Sequence, residues 1–294
     1  MQLKKIWIST FLILLGVTII RAHPGSGIVI DRFGQIYFTD TGKGVWKIST
    51  QGNLIYLPSS RFHWMTIDVT GSFANSQKNF GEYFERVTPS GTKPALIQCS
   101  DFPLVAGIDG NIYYAYTRSG SSNIIQRSPA GKESVLASNK IFEFTNGIAS
   151  GRDGSLYITE SSNSAASTVR KITKSGEVTT VATFTGINTV NTPLETVPSY
   201  CRGLAVDSTG TIYVAATGSR SILRITPDGK ISTLLQVDSP WAPTGVTVFN
   251  GEVFILEWHD VTAENLEVRS AWIPRVRKIG RNGKVTTLVT ISRN

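Results

Sequence analysis

Six times the chain repeats one pattern: an apolar quartet, a turn closing on Gly, an aromatic-rich strand, and a second turn closing on Gly. Gly34, Gly71, Gly110, Gly154, Gly210 and Gly251 each stand one position before a run of alternating apolar residues, beginning at Gln35, Ser72, Asn111, Ser155, Thr211 and Glu252. These runs are the expected second strands of six units. The second turn recurs as Ser49-Thr-Gln-Gly, Thr88-Pro-Ser-Gly, Ser128-Pro-Ala-Gly, Thr173-Lys-Ser-Gly, Thr226-Pro-Asp-Gly and Gly280-Arg-Asn-Gly. Pro presets the first turn dihedral and Gly accepts the left-handed one, so each is a tight hairpin between strands three and four. Innermost strands read from Gly27, Trp64, Leu104, Gly147, Gly203 and Gly245. Four strands repeated six times at roughly 40-residue spacing specify an all-β, six-bladed β-propeller with four antiparallel strands per blade. The first unit starts on its innermost strand and the last ends on its outermost. The ring is therefore expected to close with no strand exchanged between termini, on blade packing alone.

The N-terminus carries Lys4 and Lys5, fifteen mostly apolar residues from Ile6 to Ile20, and Arg21-Ala22. That is the form of a secretory leader, and fifteen residues fall short of the ~20 that span a bilayer. The expected organisation is a signal peptide over 1–22 and a single domain over 23–294, secreted or periplasmic, with no stable membrane anchor after cleavage. Losing Lys4, Lys5 and Arg21 lowers the formal charge from +8 to +5. No dense Lys/Arg run occurs, so nucleic acid is excluded as a partner and a soluble monomer is expected. A ring of third-strand cations, Lys47, Arg86, Lys171, Arg224 and Lys278, reads as solvated blade surface. The two cysteines, Cys99 and Cys201, fall in opposite blades, so their Cα atoms are expected beyond the ~7 Å bridging limit unless the insertion 186–200 folds across the face, which leaves a disulfide open.

Loops entering strand one and leaving strand two meet at one end of a propeller's channel. The residues entering the innermost strands are Ser26, His63, Pro103, Asn146, Arg202 and Thr244. Those ending the second strands are Asp40, Gln77, Tyr116, Glu160, Ala216 and Glu257. Two polar rings at a channel mouth form the default site, so His63, Asn146, Arg202, Glu160, Glu257 and Asp40 are the candidate ligand-binding residues for a small molecule or a protein partner. His23, His63 and His259 map to adjoining blades of the same face, with Asp40, Glu257 and Asp260 near them. Imidazoles together with a free N-terminal amine on His23 suit copper or zinc, which makes these three a candidate set for a single divalent metal. Trp64, Trp241, Trp258 and Trp272 stand at or beside loops, where rigid aromatics either contact a ligand or staple the loop down. No Gly-x-Ser-x-Gly elbow, His-Glu-x-x-His, Cys-x-x-Cys or Gly-rich phosphate loop is present.

The stretch Gly203-Leu-Ala-Val-Asp-Ser-Thr-Gly-Thr-Ile-Tyr-Val-Ala-Ala, followed by Ser221-Ile-Leu-Arg-Ile-Thr-Pro-Asp-Gly, resembles an NHL repeat. Over nearly all of residues 27–290 the chain resembles the bacterial secreted NHL and gluconolactonase-like (senescence marker protein-like) propellers. This resemblance implies the fold more strongly than the activity, because such propellers host binding, hydrolysis and lyase chemistry. It also implies one divalent metal on the channel axis, held by a Glu, an Asn and an Asp that each precede an innermost strand. Phe144-Thr-Asn146-Gly-Ile-Ala resembles the Asn segment, whereas Arg202 stands at the Asp position and Ser26 at the Glu position. A guanidinium opposes a hard cation, so the family's metal site is expected to be lost. Two classes of function remain: an exported propeller binding a ligand or protein at the channel mouth, or a metal-assisted hydrolase or lyase of a lactone, ester or sugar-derived substrate.

Overall fold

The computed structural model of the chain describes residues 24–68, 70–73, 84–87, 95–100, 102–118, 121–139, 144–161, 166–185, 201–259 and 272–293. They form six antiparallel sheets and, among these residues, no helix. Blade one holds β1 (Ile28–Ile30), β2 (Ile36–Asp40), β3 (Gly44–Ile48) and β4 (Leu54–Leu57). Blade two holds β5 (Trp64–Ile67), β6 (Phe84–Val87) and β7 (Leu96–Cys99). Blade three runs β8 (Leu104–Ala106), β9 (Ile112–Arg118), β10 (Ser121–Arg127), β11 (Glu133–Asn139); blade four runs β12 (Phe144–Ser150), β13 (Leu156–Ser161), β14 (Ala166–Ile172), β15 (Val178–Thr185). Blade five runs β16 (Cys201–Val206), β17 (Ile212–Ala216), β18 (Ser221–Ile225), β19 (Ile231–Gln236); blade six runs β20 (Trp241–Phe249), β21 (Glu252–His259), β22 (Pro274–Ile279), β23 (Val285–Thr290). Innermost strands touch in the cycle β1, β5, β8, β12, β16, β20 and back to β1, which closes a six-bladed propeller.

Burial falls from the axis outward and explains the composition of each strand. β2 and β13 are buried at every position, sandwiched between neighbouring blades, whereas β4, β19 and β23 are largely exposed. Strands covered on both faces need near-continuous apolar sequence, and Tyr37-Phe38 or Leu156-Tyr157-Ile158 supply it. The turn after strand one is fixed by Asp. The Asp31 carboxylate accepts from the Phe33 and Gln35 amides, both at 2.9 Å, and from the Tyr37 hydroxyl. Asp207 repeats this with the Thr209 and Thr211 amides and the Tyr213 hydroxyl.

Blade two departs from the repeat. Ser72 and Phe73, expected to begin its second strand, lie in a turn where the Asp68 carboxylate accepts both their amides, and Phe73 is buried. β7 pairs with β5 instead, Trp64 opposite Cys99 and Ile67 opposite Leu96, giving the order β5-β7-β6. The second position of a blade is dry on both faces. Leu96-Ile-Gln-Cys can fill it, whereas 72–83 is rich in Ser, Asn, Gln, Lys and Glu. Three strands of this blade lie among the described residues, and its expected hairpin at 88–91 lies outside them.

Among the described residues no strand is exchanged between the first and last blades, as expected, yet packing is not alone in closing the ring. Gly25 O accepts from Thr244 Oγ1 (2.6 Å) and from Trp258 Nε1 (2.9 Å), docking the segment that leads into β1 on blade six. From the other terminus, Arg293 Nη2 reaches Asp40 Oδ1 in blade one at 2.6 Å. Cys99 and Cys201 are both buried, in separate core clusters, with no disulfide between them. The third-strand cations are less solvated than expected. Lys47 is buried with Nζ over the Tyr37 ring, Lys171 pairs with Asp153, and only Arg224 is exposed outright among Lys47, Arg224 and Lys278.

Candidate channel-mouth site

Four residues entering innermost strands are followed by Gly, and the structure shows why. A Cβ on Gly147 would lie 2.2 Å from the Arg202 carbonyl oxygen, and one on Gly245 would lie 2.4 Å from the Ser26 carbonyl oxygen. The strand starts therefore crowd together at the mouth as no side chain would permit. This draws Ser26, His63, Asn146 and Arg202 into one connected cluster. The Ser26 and Gly27 amides donate to the His63 carbonyl at 2.7 and 3.0 Å. Thr159 Oγ1 donates to the Arg202 carbonyl at 2.7 Å, and Asn146 Nδ2 to Ser161 Oγ at 3.2 Å.

Two further bonds span the mouth as chords. Arg202, in blade five, sends Nη1 past blade six to the Pro24 carbonyl, with Ser26 Oγ at 3.5 Å. Trp64 Nε1, in blade two, reaches past blade three to the Asn146 carbonyl at 3.4 Å. Arg202 is buried, whereas His63 and Asn146 are half-buried. His63 Nδ1 lies 2.8 Å from the Ser100 carbonyl oxygen, which accepts only, so Nδ1 carries the proton in either charge state.

The three acids of the second ring do not join this cluster. Each is buried against arginine in the blade stack. Glu257, wholly buried, accepts from Arg275 Nε at 2.7 Å and from Arg277 Nε at 2.8 Å. Glu160 pairs with Arg170 on the adjacent strand. Asp40 takes Trp46 Nε1 and the Gly42 amide, both at 2.9 Å, besides Arg293. Burial lowers the Arg275 guanidinium pKa against the opposing pull of Glu257, and the same guanidinium stacks 3.9 Å from the Trp241 ring centroid. No motif in the sequence marks Arg170, Arg275, Arg277 or Arg293 as partners. The pairing is set by strand register, which puts Arg275 directly opposite Glu257 and Arg277 diagonal to it.

His259 packs edge-on against Trp241, with centroids 5.3 Å apart, and is held by its amide bond to the Ile273 carbonyl. His23, Gln77 and Asp260 lie outside the described residues. Among the described residues, no three His, Cys, Asp or Glu side chains are grouped to hold a metal ion. Nor do Ser26, Asn146 and Arg202 fit the divalent metal that the resemblance implies, because a buried guanidinium occupies the position of an anionic ligand. Trp258 and Trp272 are both 1% exposed and meet edge to face at 6.2 Å, so they staple blade six rather than offer a ligand surface.

A family profile described as SMP-30/Gluconolactonase/LRE-like region matches residues 107–254, half of the chain. No curated protein matches in sequence. Among solved structures, the chain is similar to virginiamycin B lyase from Staphylococcus aureus, with TM-score 0.52, 18% identity, and 90% of this chain and 83% of that one covered. It is similar to a PQQ-bound aldose sugar dehydrogenase from Streptomyces coelicolor, with TM-score 0.57, 11% identity, and 80% and 88% covered. A calcium-binding protein, regucalcin, from Agrobacterium tumefaciens aligns with TM-score 0.52, 12% identity, and 79% and 81% covered. At such identities the likeness speaks for the fold.

Proposed function

The chain belongs to the SMP-30/gluconolactonase/LRE-like family, and on that premise we propose that it is an exported binding propeller whose channel mouth takes a ligand or protein partner through an anionic group. One observation carries the reading: Arg202, buried at the mouth and bonded across it to Pro24, puts a permanent positive charge where the family resemblance calls for a metal-binding acid. Half-buried His63 and Asn146 stand on the same face, and its acids, Asp40, Glu160 and Glu257, are each neutralised by arginine. A mouth with its acids paired and a guanidinium beneath it attracts anions. Export rests on the leader-like pattern of residues 1–22. The metal-assisted hydrolase or lyase gains no support from Glu257, which serves as ligand or base only after two guanidinium groups are displaced.

The test is calorimetric titration of the exported protein with gluconate, citrate and inorganic phosphate, beside a lactone-hydrolysis assay with and without divalent metal. Saturable anion binding that Arg202→Met weakens at least tenfold supports the reading. Metal-dependent hydrolysis of glucono-δ-lactone that disappears in His63→Ala overturns it, and so does anion binding unchanged by Arg202→Met.

A further inference from the structure

Behind the mouth, the innermost strands enclose an axial channel of about 310 Å³. Its wall is built from Val29, Val105, Ile148, Val206, Val248 and their neighbours on the six innermost strands, and every lining residue is uncharged. Each innermost strand is paired on one edge only, so its other edge turns backbone N–H and C=O groups toward the axis. A few are already engaged, as where Thr66 Oγ1 accepts the Ala106 amide at 2.8 Å.

The two ends of the channel differ. At the mouth, the Arg202 and Trp64 chords cross it, and Ser26, Arg202 and Thr244 are 7, 4 and 2% exposed. At the opposite end, Ile30, Ala106, Ser150, Val206 and Val248 are half-buried, and Ile108 on the rim is 52% exposed. Among the described residues, the turns at that end are too short to fold over it. Strand one joins strand two through five residues in blades one, three, four and five and through two in blade six, while blade two starts with the same turn, Gly71 N to Asp68 O at 3.3 Å.

We propose that this channel is a binding site of its own, entered from the face opposite the mouth, for a small neutral molecule with an apolar body of one or two rings and one hydrogen-bonding group. Size sets the body, because an apolar cavity of about 150 Å³ holds benzene and this channel has about twice that volume. The wall sets the charge: with no ionisable lining residue, an ion entering would lose its hydration without compensation. The free strand edges, with Ser150 and Thr247, supply partners for a single polar group. The site is independent of the mouth reading, since it uses neither His63 nor the Arg202 guanidinium.

The probe is 2-naphthol, titrated into the full chain and followed by its fluorescence and by calorimetry, with inorganic phosphate absent and then saturating. The channel predicts one-site binding that phosphate does not displace and that Val206→Trp weakens at least tenfold, with an unchanged unfolding transition. Ser150→Phe, which fills the same end from blade four, should do likewise and serves if Val206→Trp fails to fold. No saturable binding to the wild-type chain, or binding unaffected by a folded channel-filling variant, overturns the proposal. Displacement by phosphate overturns it as well, by placing naphthol at the mouth.

Discussion

Glu257 shows how completely one side chain can be committed to the fold. Its carboxylate is wholly buried, and both oxygens are taken by guanidinium groups whose side chains remain 15% exposed. Glu257→Gln removes the charge yet leaves Arg275 and Arg277 packed together, so the expected loss is about 3 kcal/mol in urea unfolding. Replacing all three by Leu, Met and Met should cost less than that single change, because no buried charge is then left without its counterpart. The reverse ranking would show that the triad stabilises more than its apolar replacement. Cys201 offers a second check. Burial pushes its thiol up to about 12, and it sits with no exposed surface. A thiol with a raised pKa favours the folded state while protonated. Its contribution is therefore complete below the ordinary thiol value of about 8.5 and is lost as pH rises toward 12. Cys201→Ala should flatten that part of the alkaline stability profile. Iodoacetamide at pH 8 should label neither Cys99 nor Cys201 until denaturant is added, since both are buried and unbridged. Rapid labelling of the native chain would contradict their placement.

The same strand pattern that makes most blades legible hides the exception in blade two. Gly34, Gly110, Gly154, Gly210 and Gly251 each announce a second strand, because a turn requiring positive φ precedes an apolar run. Gly71 has the same φ and the same turn, yet the segment 72–83 after it is too polar for a position dry on both faces. Turn chemistry is local and can be read from four residues. Strand order depends on which distant segment best tolerates burial, and β7 lies some thirty residues from the strand it joins. For the same reason the acid-arginine pairs were invisible: they depend on register between strands, whereas the mouth cluster of His63, Asn146 and Arg202 derives from repeat position alone. β7 carries one flaw that tests its placement. Gln98 has no exposed surface, and among the described residues neither its amide nitrogen nor its amide oxygen has a hydrogen-bond partner. A buried unsatisfied amide costs about 1–3 kcal/mol, so Gln98→Met, close in volume, should raise stability by about 1 kcal/mol in denaturant unfolding. Destabilisation by that change would mean that the amide is satisfied, and β7 differently placed.

A closed ring of blades has one seam, and how that seam is fastened governs the stability of the whole. Propellers that exchange a strand between termini fasten it with a ladder of backbone hydrogen bonds. Here the two termini of the described chain meet through side chains: Thr244 and Trp258 on the Gly25 carbonyl, and Arg293 on Asp40 and on the Trp272 carbonyl. The apolar cluster of Ile28, Phe38, Leu256, Trp258, Trp272 and Ile291 packs across the same junction. Arg293 is therefore the most economical place to loosen the ring. Arg293→Met keeps the aliphatic stem but leaves the buried Asp40 carboxylate with Trp46 and the Gly42 amide as its remaining donors among the described residues, a loss of about 2 kcal/mol for charge-assisted hydrogen bonds. The loss should also be localised. Amide exchange should quicken in β1–β4 and β20–β23, while β8–β15, in blades three and four on the far side of the ring, keep their protection, because opening the seam exposes blades one and six before any other pair. Uniform acceleration around the ring would mean that the six blades unfold as one cooperative unit with no weak seam. Unchanged exchange would mean that the apolar cluster alone holds blades one and six together.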